Sequence, residues 1–264
     1  MKKVFASFCT LVIASIIAVP AYAQQRAGTP AAPKTPSAPA PKRDISGVWL
    51  GTGAVPKKEP VPPMTPFGQK FFDAAKPLQG PRALPIAKTN DPLVTCDPLG
   101  FPRSILYETR SLAFEHVPRR TLELFQYQRV WREIWTDGRK LPTNVGATNG
   151  ETSDPRYYGY SVGEWADDYT FVVNTTGFHE AAWADELGHP RSQDAKVEER
   201  YHRVDHDHLE FTVTIDDPKS YTMPFVAMKQ TLTWAPKQEF EEQLCIPSEA
   251  ADYRDTFRAA GEDK

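Results

Sequence analysis

Cysteine is almost absent: three residues in 264, one of them (Cys9) inside the first apolar stretch. That excludes a disulfide-dense scaffold and a cysteine-rich zinc module. An excess of positive charge is also missing, with 31 Lys and Arg against 34 Asp and Glu for a net of −3. The two signs are interleaved and form no basic stripe, so nucleic acid is not an expected partner. No glycine-rich phosphate loop follows a strand and no strand–helix alternation develops, which argues against nucleotide-binding α/β folds. His179 and His189 are ten residues apart, without the helical H-x-x-x-H spacing of a metal pair, so neither a metal nor another cofactor is expected.

Long hydrophobic runs are confined to the start. Lys2 and Lys3 precede VFASFCTLVIASIIAV, and Pro20 precedes Ala21-Tyr22-Ala23, a small-x-small cleavage site. The run is too short for a stable membrane span. Residues 1–23 therefore read as a signal peptide, and the mature chain is expected to be exported, periplasmic or secreted, with no transmembrane segment. Residues 24–43, rich in Pro, Ala and Lys without a large apolar residue, read as a disordered tether. Residues 44–264 read as a single β-rich domain, large enough to bury a substantial core.

After cleavage two cysteines remain, Cys96 and Cys245. In an oxidising compartment an even pair reads as a disulfide, the alternative being two buried thiols. Closing so long a loop constrains the unfolded chain by roughly 4–5 kcal/mol in the entropy model.

Thr65 followed by Pro66 marks a helix start, with Phe67, Phe71, Ala74 and Ala75 on one face and Pro77 at the end. From Ser104 onward the pattern changes to short alternating segments: LAFEHV, TLELFQYQ, VWREIW, YYGYSVGEW, YTFVVNTTGF, KVEERYHRV, LEFTVTIDD and PFVAMKQTLTW, with EEQLCI as a further candidate. With DISGVWLG at the front, the series predicts an antiparallel up-and-down barrel or strongly curved sheet. A β-sandwich is the alternative. A short C-terminal helix is expected, with Ser248 as its cap and Glu249 in its first turn.

Charge enters the strands unevenly. In VWREIW, Arg132 shares a face with Val130 and Ile134; in KVEERYHRV both faces carry charge. Buried Arg and Glu need partners, so these strands point to a polar ligand cavity or to a structural ion network. For a cavity, Trp131, Trp135, Tyr160, Trp165 and Trp183 would supply apolar contact, and Arg132, Glu198 and Arg200 would orient a small organic molecule.

Within TTGFHEAAWADELGHPRSQ (175–193), Phe178 to Gln193 forms the longest ordered-looking loop in the series and the expected rim of a pocket. As an enzyme, the protein would use cofactor-free acid/base chemistry of the lyase, hydratase or isomerase type, drawn from residues 179–203. His189 or His202 would be the base and Asp185 its orienter. A structural or interaction module of the cell envelope is the third reading. Asp205-His206-Asp207-His208 lies between two strands and reads as a polar hairpin turn.

The segments MTPFGQKFFDAAKP, NDPLVTCDPLGFPR, YQRVWREIWTDGRKLP, DPRYYGYSVGEW, the run from Thr175 to Tyr221 and CIPSEAADYRDT resemble a largely uncharacterised family of exported bacterial proteins, over nearly all of the chain from Asp44. The resemblance implies one domain and a Cys96–Cys245 pair, and carries no catalytic assignment. By analogy of strand order alone, the pattern is similar to lipocalin-like barrels.

Overall fold

Alternation of side chains decides where each strand faces, and LEFTVTIDD shows it most cleanly: Leu209, Phe211, Val213 and Ile215 are buried while the residues between them are not. The computed structural model describes residues 37–51, 59–106, 111–146 and 153–262. The expected signal peptide and residues 24–36 of the expected tether lie outside the described residues.

Nine strands close into a barrel in chain order. They are β1 (Gly47–Gly51), β2 (Leu112–Val117), β3 (Arg120–Phe125), β4 (Val130–Trp135), β5 (Tyr160–Trp165), β6 (Thr170–Thr176), β7 (Lys196–Arg203), β8 (His208–Asp216) and β9 (Phe225–Trp234). β9 returns antiparallel to β1, with Trp49 opposite Trp234. Closure removes the sandwich alternative and gives each of the nine strands a neighbour on both sides. The turns have local causes. Gln128 and Arg129, at φ 58° and 48°, reverse the chain between β3 and β4. Asp205 Oδ1 accepts from the backbone N–H groups of Asp207 and His208, which makes the polar stretch between β7 and β8 a tight turn, as expected.

One neighbour pair departs from the antiparallel pattern. β4 and β5 run parallel and pair only at Ile134–Ser161 and Trp135–Val162. The long connection between them permits that direction, and the short ladder leaves a seam in the wall.

The interior is filled. Trp49, Phe114, Ile134, Phe171, Tyr201 and Phe211 are fully buried there, so of the two readings of the charged strands, polar cavity or ion network, the barrel interior gives a packed core with no central cavity among the described residues.

α1 (Pro66–Ala74) forms as expected, with the Thr65 hydroxyl accepting from Gly68 N at 3.1 Å. Gly68 is required, because a Cβ there would lie 2.2 Å from the Ser220 carbonyl oxygen. Arg103, at the start of the short α2 (Arg103–Leu106), makes a buried two-pronged pair with Asp91, both contacts at 2.8 Å. EEQLCI does not add a strand; Gln243 makes a lone bridge to Tyr127. α3 (Pro247–Glu262) follows, 16 residues long, with Ser248 inside its first turn instead of at the cap. Cys245 is bonded to Cys96 across 149 residues of sequence, anchoring α3 beside the turn Pro92–Thr95. Ser37–Arg43, the end of the expected tether, lies along the barrel: the Ser37 hydroxyl donates to Asp207, and Lys42 pairs with Asp168 at 2.9 Å.

Candidate functional site

On β4 the buried residues are Arg132 and Ile134, so the guanidinium points inward. Register places Glu123 of β3 directly opposite Arg132, and Glu199 of β7 reaches the same guanidinium from across the barrel at 2.6 Å. The remaining nitrogen, Nη1, donates to Ser161 of β5 at 3.2 Å and to Thr175 of β6 at 3.1 Å. The Phe101 ring covers the cation at 3.8 Å. Every guanidinium nitrogen thus has a partner, which a buried charge requires.

Two carboxylates against one cation leave a surplus negative charge, and the Tyr201 hydroxyl reveals how it is handled. Its oxygen lies 3.1 Å from Glu123 Oε1 and 2.5 Å from Glu199 Oε1. A phenol has one hydrogen, so the two carboxyls compete for a single donor and the surplus charge is only partly compensated. The same surplus favours the protonated form of Glu123. Burial, reinforced by the charge of Glu199, pushes its carboxyl up to about 7 despite Arg132. Burial alone would favour loss of the Arg132 charge, but Glu123 and Glu199 reverse that and raise its pKa. Burial, followed by both glutamates, also raises the Tyr201 phenol.

The seam between β4 and β5 opens a cleft of about 540 Å³ over this network, within the range of small-molecule sites. Arg132 and Ser161 belong to both the cleft and the network. Trp131, Trp135, Tyr157, Tyr158 and Tyr160 supply its aromatic wall, and Trp131 is 55% exposed. The rim is cationic. Arg139 lies 3.4 Å over the Trp135 ring and is held by Asp137 at 2.8–2.9 Å. Those hydrogen bonds hold the Asp137 carboxyl well below its usual range. Arg156 lies 4.1 Å over Tyr160. Among the described residues neither Arg156 nor Lys140 has a carboxylate at ion-pair distance.

Of the residues singled out in the sequence, Trp131, Arg132, Trp135 and Tyr160 come together in this cleft. Trp165 borders a neighbouring hollow on the far side of Trp135, and Trp183 borders a separate cavity beneath the 178–193 loop. Glu198 and Arg200 stand on the outer face of β7, 3.8 Å apart, and cannot orient a ligand in the cleft from there. The inward face of β7 carries Val197, Glu199, Tyr201 and Arg203.

The acid/base candidates also separate. His189 and Asp185 do form a pair, Nδ1 to Oδ2 at 2.6 Å, and Asp185 Oδ1 accepts from the backbone N–H groups of Leu187 and His189. Burial opposes the Asp185 charge, but these bonds, that of His189 foremost, hold its pKa below the usual value. The pair does not line the β4–β5 cleft; the His189 ring stacks on Phe72 at 5.0 Å. His202 faces outward from β7, hydrogen-bonded to Thr170 at 3.0 Å. The disulfide candidates Cys96 and Cys245 are joined.

Sequence reasoning missed Glu123, Glu199, Tyr201 and Phe101. For Glu199 and Tyr201 a signal existed: they share a face with Val197, the more apolar of the two faces of β7. The sequence matches no protein-family model and no curated protein, so function must be read from this geometry.

Proposed function

We propose that the protein is an exported binding protein for a small organic molecule, held in the β4–β5 cleft. The observation that carries this reading is the cleft itself. Its aromatic wall meets the polar network at Arg132 and Ser161, the combination of apolar contact and a few fixed polar groups that small-molecule sites use. An exposed tryptophan at its edge costs solvation without a partner to cover it. Export is supported by the formed Cys96–Cys245 bond, a bond type suited to oxidising compartments.

The acid/base reading has less support, because the hydrogen-bonded His189–Asp185 pair lies apart from the cleft lining. The interaction-module reading shares the exposed Trp131 but gives the cleft beneath it no role.

Titration with 1-anilinonaphthalene-8-sulfonate, an aromatic anion, tests the site through its fluorescence. Trp131→Ala should weaken binding by about tenfold, the loss of roughly 1.4 kcal/mol of stacking and burial. Equal binding by wild type and variant would show that the probe, and the proposed ligand with it, does not sit in this cleft.

A further inference from the structure

The loop 178–193 does not border the β4–β5 cleft, yet it encloses a cavity of its own. Folding back onto α1, it leaves a space of about 250 Å³. The loop can approach this closely because of Gly188, at φ +81°, where a Cβ would lie 2.8 Å from the Cβ of Ala75. Phe71, Ala74, Glu180 and Ala181 are exposed and form the mouth; Ala75, Ala182, Gly188, Pro190 and Arg191 are buried and form the floor. Phe67 and Trp183 complete apolar walls.

Two polar groups in the lining are already engaged. Asn90 donates to the Ala74 carbonyl and accepts from Lys76 N, and Glu180 pairs with Lys219 at 3.2 Å.

Arg191 is different. It is 3% exposed, and its Nη2 donates to the carbonyl oxygens of His179 and Ala182. Its Nε and Nη1 are buried without a hydrogen-bond partner among the described residues. No carboxylate of the described residues lies within ion-pair distance of it. Asp217, which attracts it through space, is engaged by the N–H and hydroxyl of Ser192. The Phe178 ring at 4.4 Å gives partial compensation. Burial consequently lowers the Arg191 pKa to about 9, more than Asp217 and Glu180 restore. A buried cation with stranded donors is costly, and an anionic acceptor would remove that cost.

We propose that the cavity between α1 and the 178–193 loop is a second binding site, specific for a small apolar carboxylate whose head group pairs with Arg191. The apolar body packs between Phe67, Phe71 and Trp183. The volume lies just below the range of drug-sized pockets, which limits the ligand to a single small ring or a short branched chain.

Calorimetric titration of the full chain with phenylacetate, and with 2-phenylethanol as its uncharged counterpart, tests this. The acid should bind about tenfold or more tightly than the alcohol, the usual worth of a charge-assisted hydrogen bond. Arg191→Met should abolish that preference. Ala74→Trp alters only an exposed position at the mouth, so it keeps the fold while blocking entry, and should abolish binding of both. Trp131→Ala, in the other cleft, should leave phenylacetate binding unchanged. The proposal is overturned if the alcohol binds as tightly as the acid or if Ala74→Trp binds phenylacetate normally. It is equally overturned if Trp131→Ala removes binding, or if wild type shows none at millimolar concentration. Because the anilinonaphthalene titration reports the β4–β5 cleft separately, either site can fail without the other.

Discussion

Arg132 and Arg191 are both buried cations of one chain, and they are treated in opposite ways. Arg132 sits at the centre of a closed set of partners: two glutamates, two hydroxyls and a covering ring. Arg191 has two carbonyls, a ring and two idle nitrogens. The difference separates a charge that completes the fold from one that awaits something. A satisfied network fixes the register of the strands it joins, here β3, β4, β5, β6 and β7, around the shortest ladder among the described strands. An unsatisfied cation at a cavity floor leaves recognition capacity unused.

The largest expected effect breaks the first half of that contrast. Arg132→Leu leaves Glu123 and Glu199 facing each other in the core, and urea unfolding should record a loss of about 3–5 kcal/mol. A loss below about 1 kcal/mol would mean that the glutamates do not depend on Arg132.

Next is the proton on Glu123. The folded protein binds it more tightly than the unfolded chain, with a folded value of about 7 against an ordinary 4.5. Its stabilisation is therefore complete below pH 4.5 and lost as pH rises through about 7. The linked loss over that window is up to about 3 kcal/mol. Glu123→Gln should flatten this part of the stability profile; an unchanged slope would place the proton elsewhere.

Arg191→Met should be mild by comparison. Two carbonyls lose a donor, but a poorly compensated cation also disappears, so the net change should stay within about 1 kcal/mol by the same unfolding measurement. A loss as large as that of Arg132→Leu would erase the distinction. The smallest stability effect belongs to Trp131→Ala, within about 0.5 kcal/mol because the side chain is half exposed, even though probe binding should fall.

Much of the fold was legible in the sequence, because hairpins advertise themselves. Alternation and polar turns locate β2 through β9, with β1 ahead of them, and the Thr65-Pro66 start locates α1. The parallel β4–β5 contact was not legible, since two paired residues at the end of a long connection carry no turn signature. The interior network was harder for a different reason. In TLELF the alternation reads as leucines inward and glutamate outward, yet Thr121, Glu123 and Phe125 are the buried set. Only the partner across the barrel stabilises an inward Glu123, and partners on distant strands are invisible to local pattern. The same holds for β7, where charge on both faces draws attention to Glu198 and Arg200 while Glu199 is the residue that points inward. Side-chain type points correctly to Arg132, Trp131, Trp135 and Tyr160. An arginine flanked by apolar neighbours on its own face must turn inward and find partners there, and aromatics clustered on adjoining strands build a wall together.

The central claim is that the seam over Arg132 holds a small molecule. Native mass spectrometry of the protein purified from the cells that make it tests this most directly. The predicted result is a retained mass of one small organic molecule per chain, present in Arg191→Met and diminished in Trp131→Ala. A bare chain in wild type, with no uptake of the aromatic anion probe, would contradict it.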